Sequence, residues 1–194
     1  MPRQKQFDKE EVLEKAMQLF WLKGYNGTSV QNLVDYLGIN RASLYDTFGG
    51  KHQLFMMTLD RYKFSNADAL LESFKQMDSV IEALKNMFLI ILQESLDDED
   101  QKGCLMVNIT AELAPFDEIA TGVVMENRNK FTSFFKSLLE EAQKRGELDA
   151  DKDPEDLSQF LFSFYNGIKV MAKLEKDPEV MQNMVLTGLT ILDD

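Results

Sequence analysis

The sequence contains few of the residue types on which most metal sites and catalytic sets depend. Among 194 residues there are one cysteine and one histidine. A single cysteine excludes an internal disulfide framework and fits a reducing cytoplasm. A zinc cluster of His and Cys ligands is implausible with one residue of each kind, and no Ser-His-Asp type of arrangement stands out. We therefore expect neither an enzyme nor a bound metal or other cofactor.

Long hydrophobic segments are missing as well. The longest apolar run, residues 87–92, is far too short to span a bilayer, and residues 1–10 are charged, without the apolar stretch of a signal peptide. The 4 prolines and 10 glycines are too few for a disordered or fibrous chain. With 44% hydrophobic residues, the composition predicts a soluble cytoplasmic protein with a sizeable core.

Positive charge is scarce overall but unevenly distributed. The chain has a net charge of −12, yet residues 1–64 contain nine Lys and Arg against seven Asp and Glu, a net charge of +2. The remainder therefore has a net charge of −14. The overall acidity of the chain would normally argue against binding to nucleic acid. If residues 1–64 form a basic head and the remainder an acidic body, this argument is weaker, because a polyanion would meet only the head.

Apolar residues recur at the 3.6-residue period of a helix, with no sustained alternation typical of strands. The pattern predicts an all-α fold of about nine helices, with Asp8, Asn40, Asp153 and Asp177 as N-caps. The predicted helices cover about 9–23, 29–37, 41–48, 51–77, 79–96, 105–113 and 117–145, and the last two begin at Pro154 and Pro178. The helix over 51–77 is expected to join the three-helix head to the larger body.

Residues 28–51 read TSVQNLVDYLGINRASLYDTFGGK, two short helices joined by a turn at Gly38-Ile39-Asn40. This is the layout of a helix-turn-helix, whose second helix enters the DNA major groove. Thr28 and Ser29 at the start of the first helix are expected to hold a phosphate, and Arg41, Ala42 and Ser43 to meet base edges. The other expected DNA contacts are Thr47 on the exposed side and Tyr45 and Lys51 at backbone phosphates. On spacing alone, a three-helix packing unit without a DNA role fits equally well.

Several residues at fixed spacing favour the DNA-binding alternative, because they resemble the N-terminal domain of the tetracycline-repressor (TetR) family. The matching positions are Gly24-Tyr25, Thr28-Ser29, Leu33-Val34, Gly38-Ile39, Leu44-Tyr45, Phe48, Lys51 and Leu54-Phe55. Many members have Gly where Ala42 stands, which leaves the operator sequence open. The resemblance implies a helix-turn-helix domain over residues 1–50, with its motif at about 29–48, and a ligand-binding and dimerisation domain over 51–194.

The resemblance also implies a mechanism. Members are usually homodimeric repressors that bind a near-palindromic double-stranded operator and leave it when a small molecule binds the body. That is allostery between two sites. We expect the last two helices to form the dimer interface. The expected interface residues are Leu157, Leu161, Phe164, Ile168, Val180, Met181, Met184 and Val185.

The effector site is less defined by the sequence. Fourteen Phe and eleven Met include adaptable residues that suit a binding cavity, although most are expected in an ordinary core. The candidate ligand-binding residues are Phe88, Leu92, Cys104, Met106, Asn108, Phe131, Phe135, Phe160, Phe164 and Asn166.

Two alternatives remain open at this stage. Cys104 precedes a predicted helix and follows Lys102, so that the thiol is a candidate sensor of electrophiles or oxidants, against the simpler interpretation of a buried core residue. The other alternative is a helical adaptor with this fold that does not bind DNA.

Overall fold

The computed structural model describes residues 7–62 and 67–193, with the side chains of residues 67–70 left aside. These residues form ten α-helices and two short 3₁₀ turns, and they contain no strand, as the sequence pattern predicts. The helices are α1 (Lys9–Lys23), α2 (Val30–Leu37), α3 (Arg41–Phe48), α4 (Lys51–Tyr62), α5 (Ala67–Lys75), α6 (Val80–Leu96), α7 (Leu105–Glu112), α8 (Glu118–Arg145), α9 (Pro154–Met171) and α10 (Pro178–Leu189).

Local signals decide where most of these helices begin. Asp8, Asn40, Asp153 and Asp177 all act as the predicted N-caps, with side-chain oxygens that accept backbone N–H groups of the first turn. Pro154 and Pro178 occupy the first positions of α9 and α10, where a missing N–H costs nothing. These boundaries are therefore confirmed.

The pattern over 51–77 predicts a continuous helix. The structure describes α4 and α5 within this range, and α5 ends at Lys75. Residues 63–66 lie outside the described residues, so that the predicted continuity of the helix at these positions stays a prediction.

The described residues belong to two compact units. The first consists of residues 7–62 and Asn108–Val124. Its core lies where α1 packs against α2 and α4, with Ala16, Phe20, Leu44 and Phe55 fully enclosed. This unit thus contains α4 and a later segment that the predicted boundary at residue 50 assigns to the other domain.

The second unit consists of residues 67–107 and 125–193. In it α6 packs against α5, α9 and α10. Its core includes Leu84 and Phe88 of α6, Phe135 of α8 and Leu161 of α9. The aromatic rings of Phe88 and Phe135 stack with centroids 5.8 Å apart.

Candidate nucleic-acid interface

The turn between α2 and α3 is formed by Gly38, Ile39 and Asn40, as the sequence pattern predicts. Gly38 takes the left-handed conformation (φ 66°, ψ 27°) that a side chain would disfavour, and its N–H donates to the carbonyl of Val34. Ile39 is buried, and Asn40 accepts the N–H of Ser43 at 2.8 Å. The helix-turn-helix therefore has a rigid turn with one apolar anchor.

The first turn of α3 faces away from that core. Arg41 and Ala42 are exposed, while Leu44 and Phe48 on the opposite face are almost completely buried. The guanidinium carbon of Arg41 lies 6.0 Å from the ring centroid of Tyr45, which is itself exposed. The structure thus brings a cation, a methyl group and a phenol together on one solvent-facing surface.

Two of the predicted DNA contacts have enclosed hydroxyl groups. The side chain of Thr28 is fully buried and its hydroxyl donates to the carbonyl of Gly24 at 2.7 Å, so that it fixes the loop before α2. The hydroxyl oxygen of Thr47 is enclosed and has no hydrogen-bond partner. The helical period placed Thr47 on the outer side, but its hydroxyl points inward.

The remaining predicted contacts differ in exposure. Ser29 is exposed as the N-cap of α2, where its hydroxyl and the amide of Asn32 form a reciprocal capping box. Ser43 and Lys51 are half-buried. The ammonium of Lys51 lies 4.1 Å from the ring centroid of Tyr25, and burial lowers the pKa of this lysine against the opposing effect of the Glu112 charge.

A carboxylate that the motif did not predict pairs with the single histidine. Nε2 of His52 lies 2.7 Å from Oδ2 of Asp117, and Oδ1 of Asp117 accepts the N–H of Ala120 in the first turn of α8. The Ala120 N–H and His52 lower the pKa of Asp117, against the effect of burial. Asp117 is recognisable from the sequence as a helix cap. No local sequence signal pairs it with His52, which lies 65 residues earlier in the chain.

The predicted dimer residues fall into two groups. Five of them are buried within their own chain and belong to the core of the second unit: Leu157, Leu161, Ile168, Met181 and Val185. Phe164 and Met184 are half-buried, and Val180 is exposed. Both helices also have an outer apolar face, whose exposed residues are Phe160, Val170 and Met171 on α9, Leu174 just after it, and Val180 and Leu186 on α10.

The candidate ligand residues differ in burial. Phe88, Leu92, Met106 and Phe135 are core residues, and Phe160 is exposed. Phe131, Phe164 and Asn166 are half-buried in the second unit. Asn108 belongs to the first compact unit.

A cavity of about 370 Å³ lies elsewhere in the second unit, along one side of α8. Most of its lining residues are of polar types, and the lining consists of Leu71, Glu126, Asn129, Lys130, Ser133, Phe134 and Ser137. None of the candidate ligand residues lines it. Sequence periodicity did not mark this site, because polar residues on one helix face are usually solvated.

Cys104 is buried, as the simpler interpretation expects, but its neighbours are polar. Its Sγ lies 3.9 Å from the hydroxyl of Tyr165, and the ammonium of Lys169 donates to Oγ of Ser95 at 2.8 Å. Burial lowers the pKa values of Lys169 and Lys173, and the charge of a Cys104 thiolate would raise both. Tyr165 also stacks on Phe131 at 5.1 Å.

Comparison with known proteins gives a consistent result over the whole chain. Residues 12–56 match the family model described as bacterial regulatory proteins, tetR family, and residues 80–187 match the model described as tetracyclin repressor-like, C-terminal domain. The regulator YezE of Bacillus subtilis is 34% identical over 100% of both chains. The repressor ComR of Escherichia coli is 30% identical over 97% of this chain and 90% of its own.

Solved structures agree with the sequence comparisons. A cysteine-substituted CifR, a regulator bound to a 26-base-pair operator, superposes with a TM-score of 0.83. It is 26% identical, over 98% of this chain and 99% of that one. The similarity therefore extends through both compact units.

Proposed function

Because the chain belongs to the TetR family of bacterial transcriptional regulators, we propose that it is a repressor whose α3 reads base edges in the major groove. The observation that carries the proposal is the solvent-facing first turn of α3, with Arg41 and Ala42 exposed above buried Leu44. We place its action in the cytoplasm, where a bacterial operator lies, and assign it no catalytic role.

The exposed groups have distinct chemical uses on DNA. The planar guanidinium of Arg41 is suited to the two acceptors of a guanine edge, and the methyl group of Ala42 to that of a thymine. Ser29 at the α2 N-terminus, Tyr45 and Lys51 are assigned to backbone phosphates, which set the register without reading sequence. Ser43 lies beside the base-reading residues but is half-buried.

We propose that the protein acts as a homodimer through the outer apolar faces of α9 and α10. Six large apolar residues exposed on these faces, from Phe160 to Leu186, are costly to leave in water and are typical of an interface. A two-fold dimer would present two α3 helices to half-sites one DNA turn or a multiple of it apart, and hence to a near-palindromic operator.

We assign the release signal to a small molecule bound by the second unit. The half-buried rings of Phe131 and Tyr165 stack beside Cys104 and provide an apolar wall next to polar groups, a combination common in ligand sites. Ligand binding would lower DNA affinity only to the extent that it favours a conformation with poor operator affinity.

The test is selection of duplexes from a random library by the full-length protein. Enrichment of a near-palindromic sequence, with affinity that falls as salt rises, is the expected result. Selection of no sequence would favour the helical adaptor over the repressor. A footprint that leaves the major groove open would reject the assigned role of α3.

A second candidate for the signal is covalent modification of Cys104. The observation that favours it is the polar neighbour of the buried thiol, whose Sγ lies 3.9 Å from the hydroxyl of Tyr165. An enone is a suitable partner: Sγ bonds to the β-carbon, the electrons of the C=C bond move to the α-carbon, and that carbon takes the proton that the thiol released.

This candidate is tested with N-ethylmaleimide on the protein–duplex complex. Release of the wild type but not of Cys104→Ser, with one added maleimide by mass spectrometry, would support it. An unmodified Cys104 and an intact complex would leave the thiol as a core residue.

A further inference from the structure

The loop between α1 and α2 encloses a carboxylate from a distant part of the chain. Glu112, the last residue of α7, accepts the backbone N–H of Tyr25 on Oε2 at 3.0 Å and that of Asn26 on Oε1 at 2.7 Å. Two successive N–H groups that converge in this way form a concave anion-binding site, a nest. The nest in the DNA-binding unit is thus occupied by one of the protein's own side chains.

The sequence of the loop is adapted to this carboxylate. Gly24 has a φ of +75°, and a Cβ at this position would lie 2.8 Å from Oε2 of Glu112. A side chain at this position is therefore disfavoured by the backbone conformation, and the Glu112 carboxylate would have to shift to admit it. On the other side of the loop, the buried hydroxyl of Thr28 holds the Gly24 carbonyl. The two contacts fix the main chain on both sides of Tyr25.

The ring of Tyr25 connects this fixed backbone to Lys51. Its face lies 4.1 Å from the ammonium of Lys51, and its ring packs against Phe55 with centroids 4.8 Å apart. The ring of His52 meets it edge-on at 6.2 Å. The position of the Lys51 ammonium therefore depends on where the backbone of Tyr25 is held.

We propose that Glu112 is a positioning residue for DNA binding, which fixes Tyr25 so that its ring holds the Lys51 ammonium ready for a backbone phosphate. The inference rests on the proposed DNA-binding function and adds to the DNA-binding machinery a residue far from the helix-turn-helix in sequence. A preorganised ammonium loses less rotamer freedom on binding than a free lysine side chain does.

The test measures affinity of full-length protein for the duplex enriched by the wild type, as a function of salt. Glu112→Ala removes both carboxylate acceptors. We expect the affinity for the duplex to fall roughly tenfold, which is the effect of losing one charge-assisted hydrogen bond. The salt slope is the steepness with which the logarithm of the affinity falls as the logarithm of the salt concentration rises. Lys51→Ala should reduce this slope by about 0.9 for each phosphate contact that is lost. Glu112→Ala should lower it similarly, and the double variant should bind no more weakly than Lys51→Ala alone.

Glu118→Ala is the matched control, because it removes one negative charge from an exposed site in the same compact unit. It should leave affinity and slope close to those of the wild type. Glu112→Gln, which keeps one carbonyl acceptor, should restore part of the affinity. Thermal melts of each variant identify the temperature range in which all are folded, and binding is measured there.

Three results would overturn the proposal. Unchanged affinity of Glu112→Ala would show that Tyr25 needs no such support, and tighter binding would show that the carboxylate competes with phosphate for Lys51. If Glu112→Ala binds more weakly with an unchanged salt slope, and its loss of affinity adds to that of Lys51→Ala in the double variant, Glu112 has a general structural role. Enrichment of no duplex by the wild type would reject the proposed function together with this inference, whereas the first three outcomes reject the inference alone.

Discussion

At the scale of single residues, the environment of Arg41 supports its proposed role in reading bases. Its side chain is exposed on α3 and lies near the ring of Tyr45, so that it is free to meet a base edge. Arg41→Lys keeps the positive charge but removes the planar fork that engages two acceptors of guanine.

We expect Arg41→Lys to cost about 1–3 kcal/mol of binding free energy and to relax preference at one position in each half-site. Repeating the duplex selection with the variant measures this directly. Lys51→Ala provides the comparison, because it should weaken all sequences about equally. An unchanged base preference for Arg41→Lys would assign the readout to another residue.

Asp117 leads to a prediction about stability and pH. Its pKa is lowered by the Ala120 N–H and by His52, so that its stabilising effect is complete above the usual value of 3.8 and is lost as the pH falls through the lower pKa of the folded state. Asp117→Ala should cost about 1 kcal/mol at pH 7, the usual effect of a helix N-cap.

The difference between wild type and Asp117→Ala should diminish below pH 3.8. Urea unfolding at pH 7, 4 and 3, at one protein concentration, measures it. Asp117→Asn retains a capping acceptor without the charge, and it should retain most of the stability with less dependence on pH in this range. A constant difference at all three pH values would contradict the assigned role of the carboxylate.

At the scale of elements, α9 has two apolar faces that differ in burial. Leu161 is completely buried, whereas its neighbour Phe160 is 38% exposed. Phe160→Glu should therefore leave each protomer folded but dissociate the dimer, while Leu161→Glu should unfold the second unit, because it buries an unpaired charge.

Sedimentation and thermal melting together distinguish the two variants. Phe160→Glu is expected to sediment as a monomer at micromolar concentration with a melting temperature near that of a wild-type protomer. If it remains dimeric, the outer face of α9 does not form the interface. If Leu161→Glu remains folded, the described core of this unit is incorrect.

Most of the elements could be predicted because their signals are local. Asp8, Asn40, Asp153 and Asp177 cap helices through atoms two or three residues away, and Gly38 forms its turn through its own backbone. Helical periodicity placed Leu161 and Met181 on apolar helix faces. It cannot decide whether such a face packs against the same chain or against a partner. Five of the eight predicted interface residues are buried within their own chain, which periodicity alone did not indicate.

The site was predictable to a smaller degree for the same reason. The exposed residues of α3 follow from the helix-turn-helix spacing, and they face solvent as expected. Contacts between distant positions, such as Glu112 with Tyr25 or His52 with Asp117, have no signal in a single sequence. The inward turn of the Thr47 hydroxyl depends on packing that periodicity does not describe.

At the scale of the whole molecule, the first compact unit is discontinuous in sequence. Besides residues 7–62 it contains Asn108–Val124, and from this segment Ile109, Leu113 and Ala120 are buried. A fragment of residues 1–63 therefore lacks part of the apolar surface that the full chain buries.

We expect the 1–63 fragment to melt at a lower temperature than the full-length protein and to have less helix by circular dichroism. A fusion that restores residues 108–124 through a Gly/Ser linker should recover part of the loss, whereas the same fusion with Ile109→Asp should not. Equal helicity and melting temperature of the fragment and the full chain would show that residues 108–124 are dispensable.

The same discontinuity has a consequence for biosynthesis. A ribosome delivers α1 to α4 long before Glu112 and Asp117 leave the exit tunnel, and nascent segments fold as they emerge, the N-terminal ones first. During that interval the nest at Tyr25 and Asn26 lacks the Glu112 carboxylate that occupies it in the folded protein. A nascent chain would thus gain a finished DNA-binding surface only after most of the protein has been translated, which delays operator binding by incomplete polypeptides.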